Sequence, residues 1–175
     1  MKLSSAYIQE QLQKEYQTIG QEGMTGKNAP DLSETAVIDS VQRIYDACDE
    51  WENQLREEVM RGRSLQRILK LSADFIGNPL LVMSLDFNLL GESGIEVMPE
   101  KSRLFHKDGI DMEYMNALMQ SSEYQKMQDS RETVLFPAYI SGVRSLNRNL
   151  FPEGKNVCRV VMHEWNRKFT EGDKC

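Results

Sequence analysis

Residues 77–92 read GNPLLVMSLDFNLLGE, and the fold turns on them. Gly77, Asn78 and Pro79 end the helix before them, because Gly closes a helix in the left-handed conformation and Pro does not extend one. After them the period changes. Leu80 to Leu85 is an almost continuous apolar run, short enough for a strand buried on both faces. Asp86-Phe87-Asn88 is turn-like, and Leu89-Leu90-Gly91-Glu92 is a returning strand, so the stretch is a hairpin.

Upstream, the pattern is helical. Leu65, Ile68, Leu69, Ser72 and Ile76 fall on one face of a helix over 65–76, with Ser64 as its cap. A longer helix precedes it, running to about Met60 and ended by Gly62. Asp31 with Glu34 resembles a capping box, and Ser33 is a second candidate cap. Val37, Val41, Ile44, Cys48, Trp51 and Leu55 form an apolar seam with steps of 4, 3, 4, 3, 4. That is nearly three heptads, the spacing that keeps one stripe facing a partner helix in a coiled coil. Two readings stand: the seam pairs with its twin in a second chain, or it packs on its own chain. The first is preferred, although acidic neighbours (Asp39, Asp46, Glu50, Glu57) weaken it in a parallel dimer. Before this helix, residues 4–19 read as a short helix and 21–31, QEGMTGKNAPD, as a linker.

Downstream, 93–108 read as irregular. From 109 to 128 the chain is helical again, divided at Ser121-Ser122. Three strands follow. Thr133 to Ile140 is rich in β-branched and aromatic residues, with Pro137 implying an edge. Arg144 to Phe151 alternates Leu146 and Leu150 with Asn147 and Asn149. Val157 to Trp165 alternates Cys158, Val160 and Met162 with Val161 and His163. Two strands, a helical excursion and three strands make an α+β domain with a five-stranded antiparallel sheet, helices on one face, of the PAS- or GAF-like kind. The expected organisation is a short helix and linker over 1–30, the long helix over 31–63, a sensor-like domain over 64–165 and a polar tail over 166–175.

Composition narrows the function classes. The chain has 175 residues and a net charge of −6, a poor balance for gripping phosphate backbones, so no nucleic-acid binding is expected of this segment. No apolar run approaches the roughly 20 residues of a membrane span. MKLSSAYIQEQLQ lacks the apolar core of a secretory signal. Cys48, Cys158 and Cys175 are an odd count without C-x-x-C spacing, as expected of reduced thiols in a cytoplasmic protein.

No catalytic constellation stands out. His106 and His163 have no second ligand at metal spacing, and both read as surface or satisfied histidines. No phosphate-binding glycine loop or nucleophile elbow occurs. No enzyme activity, metal or cofactor is expected. Methionines at 112, 115, 119 and 127 suggest either core packing or an adaptable pocket. The candidate ligand-binding residues are Met83, Met115, Met119, Phe136, Tyr139, Arg144 and Asn147, with Arg144 chosen to meet an anion because its fork matches carboxylate or phosphate.

Two stretches carry a family resemblance. VMRGRSLQRILKLSADFIGNPLLVMSLDFNLLGES (59–93) and GVRSLNRNLFPEGKNVCRVVMHE (142–164) resemble the opening and closing parts of the sensor region in purine-catabolism-regulator-like (PucR-like) bacterial transcription regulators. The carriers are a helix ending in GNP, a short hairpin, an L-x-x-N-L-F strand, a glycine turn and a final apolar strand. The resemblance covers about residues 35–165. It implies a dimeric, signal-sensing regulatory module. In that family a helix-turn-helix region follows; residues 1–175 contain none, so the resemblance implies the sensor part without DNA binding.

Overall fold

The computed structural model describes residues 34–99, 104–106, 109–140 and 142–174. The expected helix 4–19, the linker 21–31, the caps Asp31 and Ser33 and the side chain of Val37 lie outside the described residues. The chain divides into two compact units. One contains the first long helix as far as Arg56, with Phe169–Asp173; the other is Glu57–Lys168.

Helix α1 (Glu34–Met60) follows its sequence pattern. Ile44 and Cys48 are buried within the single chain, and Val41, Trp51 and Leu55 are half-buried. Solvent-facing turns carry pairs four residues apart, Gln42 with Asp46 at 2.7 Å and Arg56 with Glu52 at 2.8 Å. Each such pair adds only a few tenths of a kcal/mol to an exposed helix, about 0.2–0.5.

In the second unit, α2 (Leu65–Ile76) ends at Gly77, whose φ of 79° is the left-handed conformation a Cβ would strain. Strands β1 (Leu80–Ser84) and β2 (Leu89–Ser93) make the hairpin. Its turn places Phe87 at φ 59°, unusual for a bulky residue. The Phe87 ring stacks on Tyr124, centroids 6.0 Å apart, and packs on both apolar clusters of the domain, so tertiary burial offsets the local cost.

The segment 93–108, expected to be irregular, holds a short 3₁₀ turn (Ile95–Val97) and the strand β3 (Phe105–His106). Its antiparallel partner β4 (Gly109–Ile110) takes the first two residues of the stretch expected to be helical. The helix begins only after the cap Asp111, whose side chain accepts from Tyr114 N at 2.9 Å. The helical excursion is α3 (Met112–Gln120) and α4 (Ser122–Met127). The expected division between them is the work of Ser121. Its Oγ accepts from Tyr124 N at 3.1 Å and donates to Leu118 O at 2.7 Å, capping one helix while closing the other. The last strands are β5 (Val134–Phe136), β6 (Ser145–Leu150) and β7 (Cys158–His163). β5 stops at Pro137, shorter than its composition suggests, because Pro offers no N–H to the ladder.

The five strands form one antiparallel sheet in the order β2-β1-β7-β6-β5, with β5 on an edge as Pro137 implied. The register sorts the residues onto two faces. Leu81 lies opposite Val161, Val161 opposite Asn147, and His163 opposite Ser145. This inner face is covered by α3, α4 and the side chains of Ile95, Met98 and Leu104 through two apolar clusters, one around Met83, Met98 and Met115, the other around Leu118, Met127 and Phe136. Helices were expected on this face alone. The structure differs: α2 lies against the opposite face, where Gly91 pairs with Val82. A Cβ on Gly91 would stand 2.9 Å from Leu69 Cδ1, so the missing side chain is what lets the helix approach the strand.

Candidate functional site

The alternation of β6 puts Ser145, Asn147 and Asn149 on the covered side. Polar residues on a buried face need partners. At one end of the row they have them. Asn149 donates to Met127 O at 2.6 Å and accepts from Arg159 Nε at 3.1 Å. The Arg159 guanidinium lies over the Tyr124 ring, 5.5 Å from its centroid. Burial pushes the Arg159 pKa down, against contributions from Tyr124 that raise it. This end ties the exit of α4 to the sheet.

The other end is different. Asn147 Nδ2 donates to Ser145 Oγ at 2.9 Å. His163, only 3% exposed, sits in register with Ser145. Its backbone N–H is held by Pro79 O at 3.0 Å, which fixes where the strand ends. Its Nδ1 is buried and has no hydrogen-bond partner. Desolvation lowers its pKa from 6.5 to about 4, so the imidazole is neutral at pH 7.

Ser145, Asn147 and His163 form the polar floor of a cavity whose remaining lining is Leu81, Met83, Leu104, Tyr114, Leu118, Phe136, Ile140 and Val161. No charged side chain lines it. Its free volume is about 10 Å³, room for about one water.

Of the residues expected at a ligand site, Met83, Phe136 and Asn147 line this cavity. Met115 is buried in the adjoining apolar cluster. The other three lie elsewhere. Met119 is 47% exposed, because Met115 and Leu118 take the inward positions of α3 and the next residue turns outward. Tyr139 is 73% exposed and donates to Glu123 at 3.0 Å from the turn that follows β5. That bond, after a backbone bond, lowers the Glu123 pKa and raises that of Tyr139. Arg144 makes a two-pronged bond with Glu164, one arm at 2.6 Å. The pair sits one step beyond the Ser145–His163 rung and is also joined by Glu164 N donating to Arg144 O at 2.8 Å. The carboxylate that Arg144 was expected to find in a ligand is supplied by the chain itself.

Sequence reasoning missed His163 and Ser145 as site residues. The signal was present: the β7 alternation groups His163 with Val161, so once one is inside the other must be. What the pattern lacks is which face the helices cover.

Cys48 and Cys158 are free thiols with pKa values raised mainly by burial, and at Cys48 also by Asp49; they are protonated and unreactive at neutral pH. Among the described residues, no three His, Cys, Asp or Glu are grouped to hold a metal ion, and no helix is long and apolar enough to cross a membrane. Comparison with protein-family models and with curated proteins gives no match. The class defined by the structure is thus an α+β domain with a 2-1-5-4-3 antiparallel sheet, counted along its five strands, and a cavity on the face that α3 and α4 cover.

Proposed function

We propose that the chain is the signal-sensing and dimerisation module of a cytoplasmic transcription regulator of the PucR-like kind, binding a small metabolite between helices and sheet. The observation that carries the reading is the unpartnered Nδ1 of His163 on the floor of a covered cavity. A buried polar atom without a partner costs about 1–3 kcal/mol, so a molecule that bonds to it within the cavity recovers part of that cost. The cavity is nearly closed as it stands, so a ligand must displace the covering segments. That coupling is what a sensor needs, because a ligand shifts an equilibrium only through its different affinity for two states. It also weakens the apparent affinity by the fraction of molecules already open.

A thermal-shift screen of uncharged metabolites against the full chain tests this. A ligand at 100 times its Kd adds about 2.7 kcal/mol, a rise in Tm of roughly 5–10 °C for a chain of this size. A screen in which no compound moves Tm removes the sensor reading.

The near-closed cavity favours one alternative, an interaction module without a small ligand. Both readings use α1 as the dimer contact. With Ile44 and Cys48 buried within the chain, what remains for a second helix is the half-buried Val41, Trp51 and Leu55 and the exposed Ile38 and Tyr45. Changing Tyr45→Glu, together with Ile38→Glu, is expected to give a folded chain of monomer mass by light scattering. A variant still at twice the chain mass rules out this contact.

A further inference from the structure

The protected side of α1 is one narrow stripe. Ser40, Ile44 and Cys48 are buried, at 4%, 7% and 5% exposure, and Val41, Trp51 and Leu55 are half-buried, while Tyr45, Asp46 and Glu50 between them are open to solvent. A stripe this narrow is what one packed helix leaves, since heptad spacing makes a seam rather than a broad core-facing side. From Ser40 to Leu55 it runs about 23 Å. Among the described residues, the unit that holds this helix contains besides it only Phe169–Asp173. That piece is closed into a turn by Thr170 N and Oγ1, which donate to Asp173 at 2.8 and 3.0 Å. A turn of that size reaches about 10 Å at most, so more than half the stripe needs another cover.

Residues 4–19 match it. Their apolar positions Ile8, Leu12, Tyr16 and Ile19 recur at helical spacing. As a helix they would be about 24 Å long, the length of the stripe, and a helix this short gains most of its stability from packing. The linker 21–31, with Gly23, Gly26 and Pro30, exceeds the roughly 2–8 residues that a helix–helix turn needs, so the chain can reverse. Read back from Ile19, the apolar row steps 3, 4, 4; α1 read forward from Val41 through Ile44, Cys48 and Trp51 steps 3, 4, 3. The two rows stay level when the helices run antiparallel. We propose that residues 4–19 form a helix folded back on α1 of the same chain, with Ile19, Tyr16, Leu12 and Ile8 level with Val41, Ile44, Cys48 and Trp51. The seam is then filled from within, and a second copy is left the Ile38–Tyr45 side of the hairpin. This contact exists whether or not the domain takes a ligand.

Cys48 reports on the cover. The full chain is pulsed with N-ethylmaleimide at several protein concentrations, and labelling at Cys48 and Cys158 is read by peptide mass. In the wild type Cys48 should react slowly at every concentration. Leu12→Glu should speed it by roughly tenfold or more, as when a packed segment opens, while Cys158, on β7, keeps its rate. Ile38→Glu together with Tyr45→Glu should leave Cys48 slow. A Cys48 that reacts freely in the wild type, or as slowly in Leu12→Glu as in the wild type, overturns the proposal. So does protection lost on dilution, which would hand the seam to a second copy. If Leu12→Glu fails to fold, with Cys158 labelled fast as well, the wild type still decides. Methyl NOEs from Leu12 to Ile44 within one chain are expected. Their absence, or their appearance only between differently labelled chains in a mixed sample, overturns the fold-back.

Discussion

Lowering the pH from 7 to 5 will cost the wild-type chain about 2 kcal/mol of stability that His163→Leu keeps. The His163 pKa is lowered to about 4 by burial, against about 6.5 in an unfolded chain. Between those values the unfolded state binds more protons than the folded one, so stability rises with pH. The contribution of the neutral imidazole is fully present above about pH 6.5 and is lost progressively as pH falls towards 4, about 3 kcal/mol in all. Carboxylates elsewhere also respond to acid, so the comparison must be between the two proteins. Urea unfolding at pH 7, 6 and 5 measures it, with the gap between variant and wild type widening towards acid. Parallel stability curves would mean His163 is not desolvated. At pH 7 the variant should be as stable as wild type or up to about 1 kcal/mol more so, since Leu fills a similar space without a buried unpaired atom. Such a gain is the mark of a residue held for function against stability.

Asn78→Ala is expected to lower stability by about 3–4 kcal/mol, the largest effect of any single side-chain truncation outside the apolar core. Asn78 is 1% exposed. Its Oδ1 accepts from the backbone N–H groups of Trp165, Asn166 and Arg167 at 3.2, 3.0 and 3.1 Å. Its Nδ2 donates to Arg167 O at 3.1 Å. Each bond contributes about 1 kcal/mol net, and removing the side chain also strands backbone donors that it had satisfied. The segment after β7 is thereby fastened to the α2–β1 corner, with Arg167 Nε donating to Ile76 O at 2.6 Å. Asn78→Asp keeps the acceptor for the three N–H groups and forfeits the donor, so it should lose less than Asn78→Ala. Equilibrium unfolding of the two variants at pH 7 checks the order. A loss below about 1 kcal/mol in Asn78→Ala would show that the segment needs no such fastening.

Asn78 and its two neighbours show where legibility in the sequence stops. Gly77-Asn78-Pro79 was legible as a helix stop, because local conformation decides that. The reach of Asn78 to residues 165–167 was not, because nothing in the spacing of a chain says which distant backbone lacks partners. Likewise the change from helical to strand period at Leu80, the edge position of β5 and the break at Ser121 are local and were readable. The covering of the second sheet face by α2 depends on Leu69 finding the space above Gly91, a tertiary fit. The site divides the same way. Met83, Phe136 and Asn147 follow from alternation, while the pattern offers Arg144 to a ligand because its partner, Glu164, lies 20 residues away, just past the end of β7. His163 looked inert for want of a second ligand, yet its isolation is what gives it meaning on a buried floor.

The most direct test is the titration of the His163 ring itself in the folded chain, followed by NMR from pH 8 downward. A covered, neutral imidazole above the Ser145–Asn147 pair predicts no protonation above about pH 5, with a midpoint near 4. A midpoint near 6.5 would place the ring in water, and the enclosed polar floor on which the proposed recognition depends would not exist.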